Sequence, residues 1–181
     1  MKFTETPVHG VWLVEPERHE DNRGFFARTW CAREFEQRGL DHRLVQCNVS
    51  YNRQRGTVRG MHFQKSPCEE AKLVRCTAGA VWDVVVDLRS DSETYLQHLA
   101  VQLDPVDHIA VYIPKGCAHG FQTLEDSTEL LYQMTEYFSP DAASGVRWND
   151  PLINVQWPID VSVIAERDLQ FPDFTTGKGI L

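Results

Sequence analysis

Between residues 44 and 138 the chain is a succession of short β-branched and aromatic runs punctuated by turn residues, and that pattern admits little besides a sandwich or a barrel. The runs cover residues 44–49, 57–64, 71–76, 80–88 with 99–103, and 108–113 with 129–137. Within 80–88, Val84, Val86 and Leu88 fall on one face while Asp83, Val85 and Asp87 fall on the other, the alternation of a half-buried strand. An amphipathic helix is the competing reading there, and the β-branched content disfavours it. Helix is expected mainly at the edges: over 30–38, from a Thr29 cap to a Gly39 stop, and over 163–168 after a Ser162 cap. Residues 140–158, with Asp150-Pro151 and Trp157-Pro158, are expected to wrap the sheet irregularly, because proline lacks the N–H a ladder needs.

A chain of 181 residues, 42% hydrophobic, can bury one sizeable core, so residues 1–181 are expected to form a single domain. The formal charge of -8 argues against a nucleic-acid or anionic-membrane partner, since either needs a basic face. A local basic pocket remains compatible with it. Met1 to Gly10 contains no long apolar run or small-residue cleavage pattern, and no window reaches the length of a membrane span; a soluble, cytoplasmic protein is expected. The five cysteines, Cys31, Cys47, Cys68, Cys76 and Cys117, form an odd set without a C-x-x-C pair and read as reduced thiols, mostly packing.

The densest chemistry lies in Val58-Arg59-Gly60-Met61-His62-Phe63-Gln64. Strand alternation puts His62 and Gln64 on one face and Arg59 on the other. Both can serve one pocket only if Gly60 permits a bulge; otherwise they are a surface arginine and a core histidine. Lys72 opens the run Lys-Leu-Val-Arg and is either a solvated edge residue or, if it faces His62, an ammonium in a pocket. After Ile113, a strand end at Pro114 and a turn at Gly116 would bring His119 back toward a barrel mouth. In 129–138, Leu130, Tyr132 and Met134 share a face, and Tyr132 is a packing residue unless a base and a cation stand beside it.

Two histidines in a β setting invite a metal, as in a metal-dependent cupin oxygenase or isomerase using His62, His119 and a carboxylate. A metal-binding strand of that kind ordinarily carries His-x-His. Here His62-Phe63-Gln64 sets an amide, a poor ligand, where the second imidazole belongs, so no metal is expected.

A series of ordered motifs makes the reading more specific. They are Asp21-Asn-Arg23-Gly24, Gln46-Cys-Asn48-Val-Ser50, Arg59-Gly-Met-His62-Phe-Gln64, Lys72-Leu-Val-Arg75, Asp83-Val-Val-Val-Asp87-Leu-Arg89, Ile113-Pro-Lys-Gly-Cys-Ala-His119-Gly-Phe121, Tyr132, Tyr137, Trp148-Asn-Asp-Pro151, Trp157-Pro158 and Glu166-Arg-Asp168. Through them the chain resembles the dTDP-4-dehydrorhamnose 3,5-epimerase family over nearly its whole length. The resemblance implies a mainly β, metal-free, cupin-type β-barrel (jelly roll) with a few short peripheral helices, usually a homodimer. It further implies an isomerase of deoxysugar biosynthesis, epimerising a nucleotide-linked 4-keto-6-deoxyhexose at carbon 3, carbon 5 or both, with no cofactor.

On the same resemblance, His62 is the base, hydrogen-bonded to Asp168, and Tyr132 exchanges a proton on the opposite face of the sugar. Lys72 holds the oxygen that becomes negative, a contact of the kind that contributes about 3 to 4 kcal/mol at an oxyanion. Arg23, Arg59 and His119 are implied near the diphosphate or sugar, Gln46 and Asn48 around the base, and Phe138 stacked on a pyrimidine, with Arg28 and Arg167 as further substrate contacts. The chain departs from the family's usual residues at Arg28 (glutamate), Phe138 (tyrosine), Leu96 (glycine), Cys47 (aspartate) and Ala143 (acidic). The first and last bear on the nucleotide, leaving CDP, GDP and UDP open beside dTDP. A non-catalytic sugar-nucleotide binder is the third reading, and the full set of His62, Lys72, Tyr132 and Asp168 weighs against it.

Overall fold

The valine-rich stretch around residue 84 becomes a strand buried on both faces, because apolar side chains from different parts of the chain meet it on each side. The computed structural model describes residues 1–175. Its elements in chain order are β1 (Lys2–Glu5), β2 (Trp12–Glu15), β3 (Arg18–Asp21), β4 (Gly24–Ala27), α1 (Ala32–Glu36), β5 (Gln46–Asn52), β6 (Thr57–Gln64), β7 (Lys72–Ala78), β8 (Val81–Asp87), β9 (His98–Leu103), β10 (Ala110–Ile113), β11 (Cys117–Thr123), β12 (Thr128–Met134), β13 (Ala143–Gly145), β14 (Val163–Ile164) and α2 (Glu166–Leu169).

One sheet runs β1-β2-β10-β7-β12-β5 and the other β13-β6-β11-β8-β9, with β14 lying parallel along β6; β3 and β4 form a separate hairpin. The two sheets face each other as a cupin-type jelly roll, the fold the resemblance implies. Between them Val74, Cys76 and Leu130 of the first sheet pack with Val81, Val85 and Phe121 of the second. Each fully buried side chain of this size contributes about 1.5 to 3 kcal/mol.

Both outer faces are covered as well. Val146, Ile153, Val155 and Trp157 lie over Val84, Val86 and Leu88, so the proline-rich segment wraps the second sheet as expected, but it is not irregular throughout: Ala143–Gly145 pair with β6 as β13. That layer corrects the half-buried reading of 80–88: the strand alternates between two cores, and its two aspartates are buried in pairs, Asp83 with His119 and Asp87 with Arg89. On the first sheet, α1 sets Phe35 against Val14, Leu73, Ala110 and Tyr112, with edge-on rings of Phe3 and Tyr112 around it.

The helix expected over 30–38 shortens to α1, which starts after Cys31 without a side-chain cap. Thr29 instead gives its carbonyl to the Arg75 guanidinium at 2.8 Å. Gly39, at φ +69°, does end the turn. The helix expected over 163–168 divides: Val163 and Ile164 pair with β6, and the helical turn begins only at Glu166. The Ser162 hydroxyl donates to the Arg55 carbonyl rather than capping. No helix among the described residues is long and apolar enough to cross a membrane.

Candidate active site

The facing sheets leave a cavity of about 510 Å³, within the usual range for a small-molecule site. One wall carries Gln46, Asn48 and Ser50 from β5, Lys72 from β7, and Tyr132 and Met134 from β12; the other carries Arg59, His62 and Gln64 from β6 and His119 from β11. Alternate residues of β5, and Tyr132 with Met134 on β12, reach it through the period of two.

Arg59 and His62 both line this cavity because β6 bulges. The pairing with β11 steps from His119↔His62 to Phe121↔Arg59, so β6 holds one residue more than its neighbour. Gly60 makes the step, at φ +115°. A Cβ there would lie 2.6 Å from the Gly120 Cα and 2.7 Å from the His119 carbonyl oxygen, so no larger residue fits.

His62 Nε2 is 2.7 Å from Asp168 Oδ1, and the Gly60 N–H donates to Asp168 Oδ2 at 3.0 Å. Burial pushes the Asp168 carboxyl up, but the hydrogen bond and charge of His62, the Gly60 N–H and the Arg167 charge outweigh it, and the group titrates below its ordinary value. It is therefore a carboxylate across the neutral range, fit to hold an imidazole and stabilise its protonated form.

Lys72 is 5% exposed; its ammonium pairs with Glu70 at 2.8 Å and donates to the His62 carbonyl at 3.1 Å. Burial, and next the negative charge of Asp83, raise the Tyr132 phenol well above its ordinary value, against a lowering by Arg59. The hydroxyl accordingly keeps its proton, the state required of an acid. The His119 ring lies edge-on to the Tyr132 ring, centroids 5.7 Å apart, and its Nε2 is 2.8 Å from Asp83 Oδ2.

At the rim, the Gln46 amide donates to Asn48 Oδ1 at 3.0 Å and accepts from the Phe138 N–H at 3.1 Å, and Phe138 and Arg167 also line the cavity. Gln64 donates to the carbonyls of Cys68 and Tyr137 and accepts from the Ser139 N–H, tying two loops together. Arg23 and Arg28 do not line the cavity. Arg23 pairs with Asp21 on the β3–β4 hairpin, and Arg28 with Glu34 at 3.0 Å.

Three neighbours of the site escaped the sequence reading as site residues: Glu70, Asn52, whose Oδ1 accepts from Arg59 Nε at 2.7 Å, and Asp83 as partner of His119. The strand β11 also went unseen, so His119 is delivered by a ladder and not by a turn. Asp83 opposite Phe121 in the β8–β11 register is the signal that finds its pair, once β11 is known as a strand. Among the described residues, no group of three or more His, Cys, Asp or Glu is arranged to hold a metal ion. All five cysteines are free thiols; burial pushes Cys76 up to about 11 and Cys117 up to about 12.

Residues 5–176 match the family model described as dTDP-4-dehydrorhamnose 3,5-epimerase. The chain is 39% identical over 170 residues to the dTDP-4-dehydrorhamnose 3,5-epimerase of Methanothermobacter thermautotrophicus, covering 92% of this chain and 91% of that one. Among solved structures, the Bacillus anthracis dTDP-4-dehydrorhamnose 3,5-epimerase with TDP and PPi bound superposes with a TM-score of 0.91 at 40% identity, covering 96% and 99%. ChmJ, a 3'-monoepimerase from Streptomyces bikiniensis in complex with dTDP-quinovose, superposes at 0.85 with 31% identity, covering 93% and 85%. A jelly roll enclosing an imidazole, a phenol and an ammonium, together with these matches, defines an isomerase of the epimerase type. The matches span the chain from its first strand to its last helix. The chain belongs to the dTDP-4-dehydrorhamnose 3,5-epimerase family.

Proposed function

We propose that the chain epimerises a dTDP-linked 4-keto-6-deoxyhexose at carbon 3, carbon 5 or both, without a metal or other cofactor. The observation that carries the reading is the position of His62 on one sheet with Lys72 and Tyr132 on the facing sheet of the same cavity. The His62 imidazole takes the proton from the carbon beside the ketone, and Asp168 steadies the imidazolium that forms. The electron pair moves onto the ketone oxygen, where the Lys72 ammonium meets the developing charge. Tyr132 then protonates the carbon from the opposite side, inverting it. The sequence is redox-neutral and its protons close through solvent.

Arg59, His119 and Arg167 supply positive or donor groups suited to the diphosphate and sugar, while Gln46, Asn48 and Phe138 suit a pyrimidine at the rim. Arg23 fits the diphosphate role only if it reaches a cavity other than that of its own chain. Its exposed hairpin therefore supports a homodimer in which each copy lends this arginine to the other. Free thiols suit the cytoplasm.

Solvent isotope uptake tests the reading. In heavy water with dTDP-4-keto-6-deoxyglucose, deuterium should enter at the carbons flanking the ketone, and no label with any nucleotide would reject it. Tyr132→Phe should retain exchange at the carbon His62 deprotonates while losing inversion. An unimpaired variant would remove Tyr132 from the acid role.

A further inference from the structure

We infer that Glu70 is a positioning residue for this reaction, holding the Lys72 ammonium by its charge so that an N–H bond is left for the substrate oxygen. The inference rests on the reading of Lys72 as the oxyanion contact. Lys72 sits on a flexible four-carbon stem, and an ammonium has three donors that can rotate. The His62 carbonyl takes one at 3.1 Å, and Glu70 Oε1 holds the nitrogen as its ion-pair partner at 2.8 Å. With the nitrogen held from two sides, its remaining N–H bonds are left for the cavity that both Glu70 and Lys72 line.

The carboxylate is itself held in place. The adjacent Ala71 is clamped to the end of the Tyr132 strand, donating to Thr135 Oγ1 at 2.8 Å and accepting from the Thr135 N–H at 3.1 Å. Glu70 is therefore set relative to Tyr132, and through the ion pair it sets Lys72. The same ammonium touches the backbone of His62, so base, acid and oxyanion contact are linked through one pair of side chains.

A purely structural account fits poorly. Glu70 is 6% exposed, and its second oxygen, Oε2, is buried with no hydrogen-bond partner. Buried ion pairs are weak sources of stability, and an acceptor left unsatisfied makes this one weaker still. Such an arrangement is retained where the geometry of one member matters to function.

The test compares Glu70→Ala and Glu70→Gln with the wild type. Glu70→Ala should lower kcat by about 100-fold, the effect of misplacing a reacting contact by an ångström, while KM and the affinity for dTDP stay within about twofold. Glu70→Gln should recover only part of the loss, because an amide oxygen keeps the contact but not the charge. A crystal structure of Glu70→Ala should show Lys72 Nζ displaced from the His62 carbonyl. The inference is overturned if Glu70→Ala keeps the wild-type kcat, if Lys72 Nζ has not moved, or if both variants lose kcat, dTDP affinity and thermal stability together. If the wild type itself takes up no deuterium beside the ketone, the reaction reading fails, and the Lys72 position in the alanine variant still decides the role of Glu70.

Discussion

At the scale of single residues, Asp168 ties two parts of the site together, because one carboxylate meets both the His62 imidazole and the Gly60 N–H. Asp168→Asn keeps the shape but removes the charge that fixes the imidazole's tautomer, and kcat should fall by about 10² to 10⁴. The same substitution has a signature in stability. A carboxyl that titrates below its ordinary 3.8 in the folded state stabilises that state above 3.8, and the contribution is lost as pH falls through the lower folded value. Urea melts should therefore show a constant gap between wild type and Asp168→Asn near neutrality that narrows below pH 3.8. A gap that widens toward acid would contradict the lowered titration. That His62, Lys72 and Tyr132 come to one cavity, with Asp168 against His62, was legible through the motifs that carry the family resemblance. Glu70 and Asn52 were not, since they matter only through the Lys72 and Arg59 side chains they touch, and contacts of that kind have no sequence spacing.

At the scale of elements, the bulge in β6 decides whether one strand can send both Arg59 and His62 into the cavity. Gly60→Ala places a methyl against the backbone of β11 at a φ few other residues accept. The strain alone is about 1 to 3 kcal/mol, so the urea midpoint should drop at unchanged slope, and turnover should fall because His62 rides on the shifted segment. A variant with wild-type stability and activity would show that the bulge is not needed. The need for this bulge was readable from the alternation of 59–64, as were the runs that became β5 to β10 and β12. The strand β11 was hidden because Cys-Ala-His-Gly-Phe-Gln-Thr, buried throughout, offers no polar face to mark a period. The short N-terminal strands were missed for a different reason: four residues each is too little for periodicity to register.

At the scale of the whole molecule, the cavity lacks Arg23 while the hairpin that bears it stands clear of both sheets, with Phe26 76% exposed. Val49 and Tyr51 are also exposed on β5, the unpaired edge of the first sheet. Nothing in a single chain's periodicity could reveal such an arrangement, since strand order and assembly depend on contacts far apart in sequence or between copies. If each copy lends Arg23 to its partner, Arg23→Ala and Asp168→Asn should each inactivate a homodimer, yet complement when mixed. In a mixed dimer, one cavity combines an intact Asp168 with an intact Arg23 from the other copy, and the second cavity lacks both. Random exchange of equal amounts makes half the dimers mixed, each with one complete site, so about a quarter of wild-type activity should return. Were Arg23 to act within its own chain, every cavity in every combination would lack one of the two groups, and mixing would restore nothing.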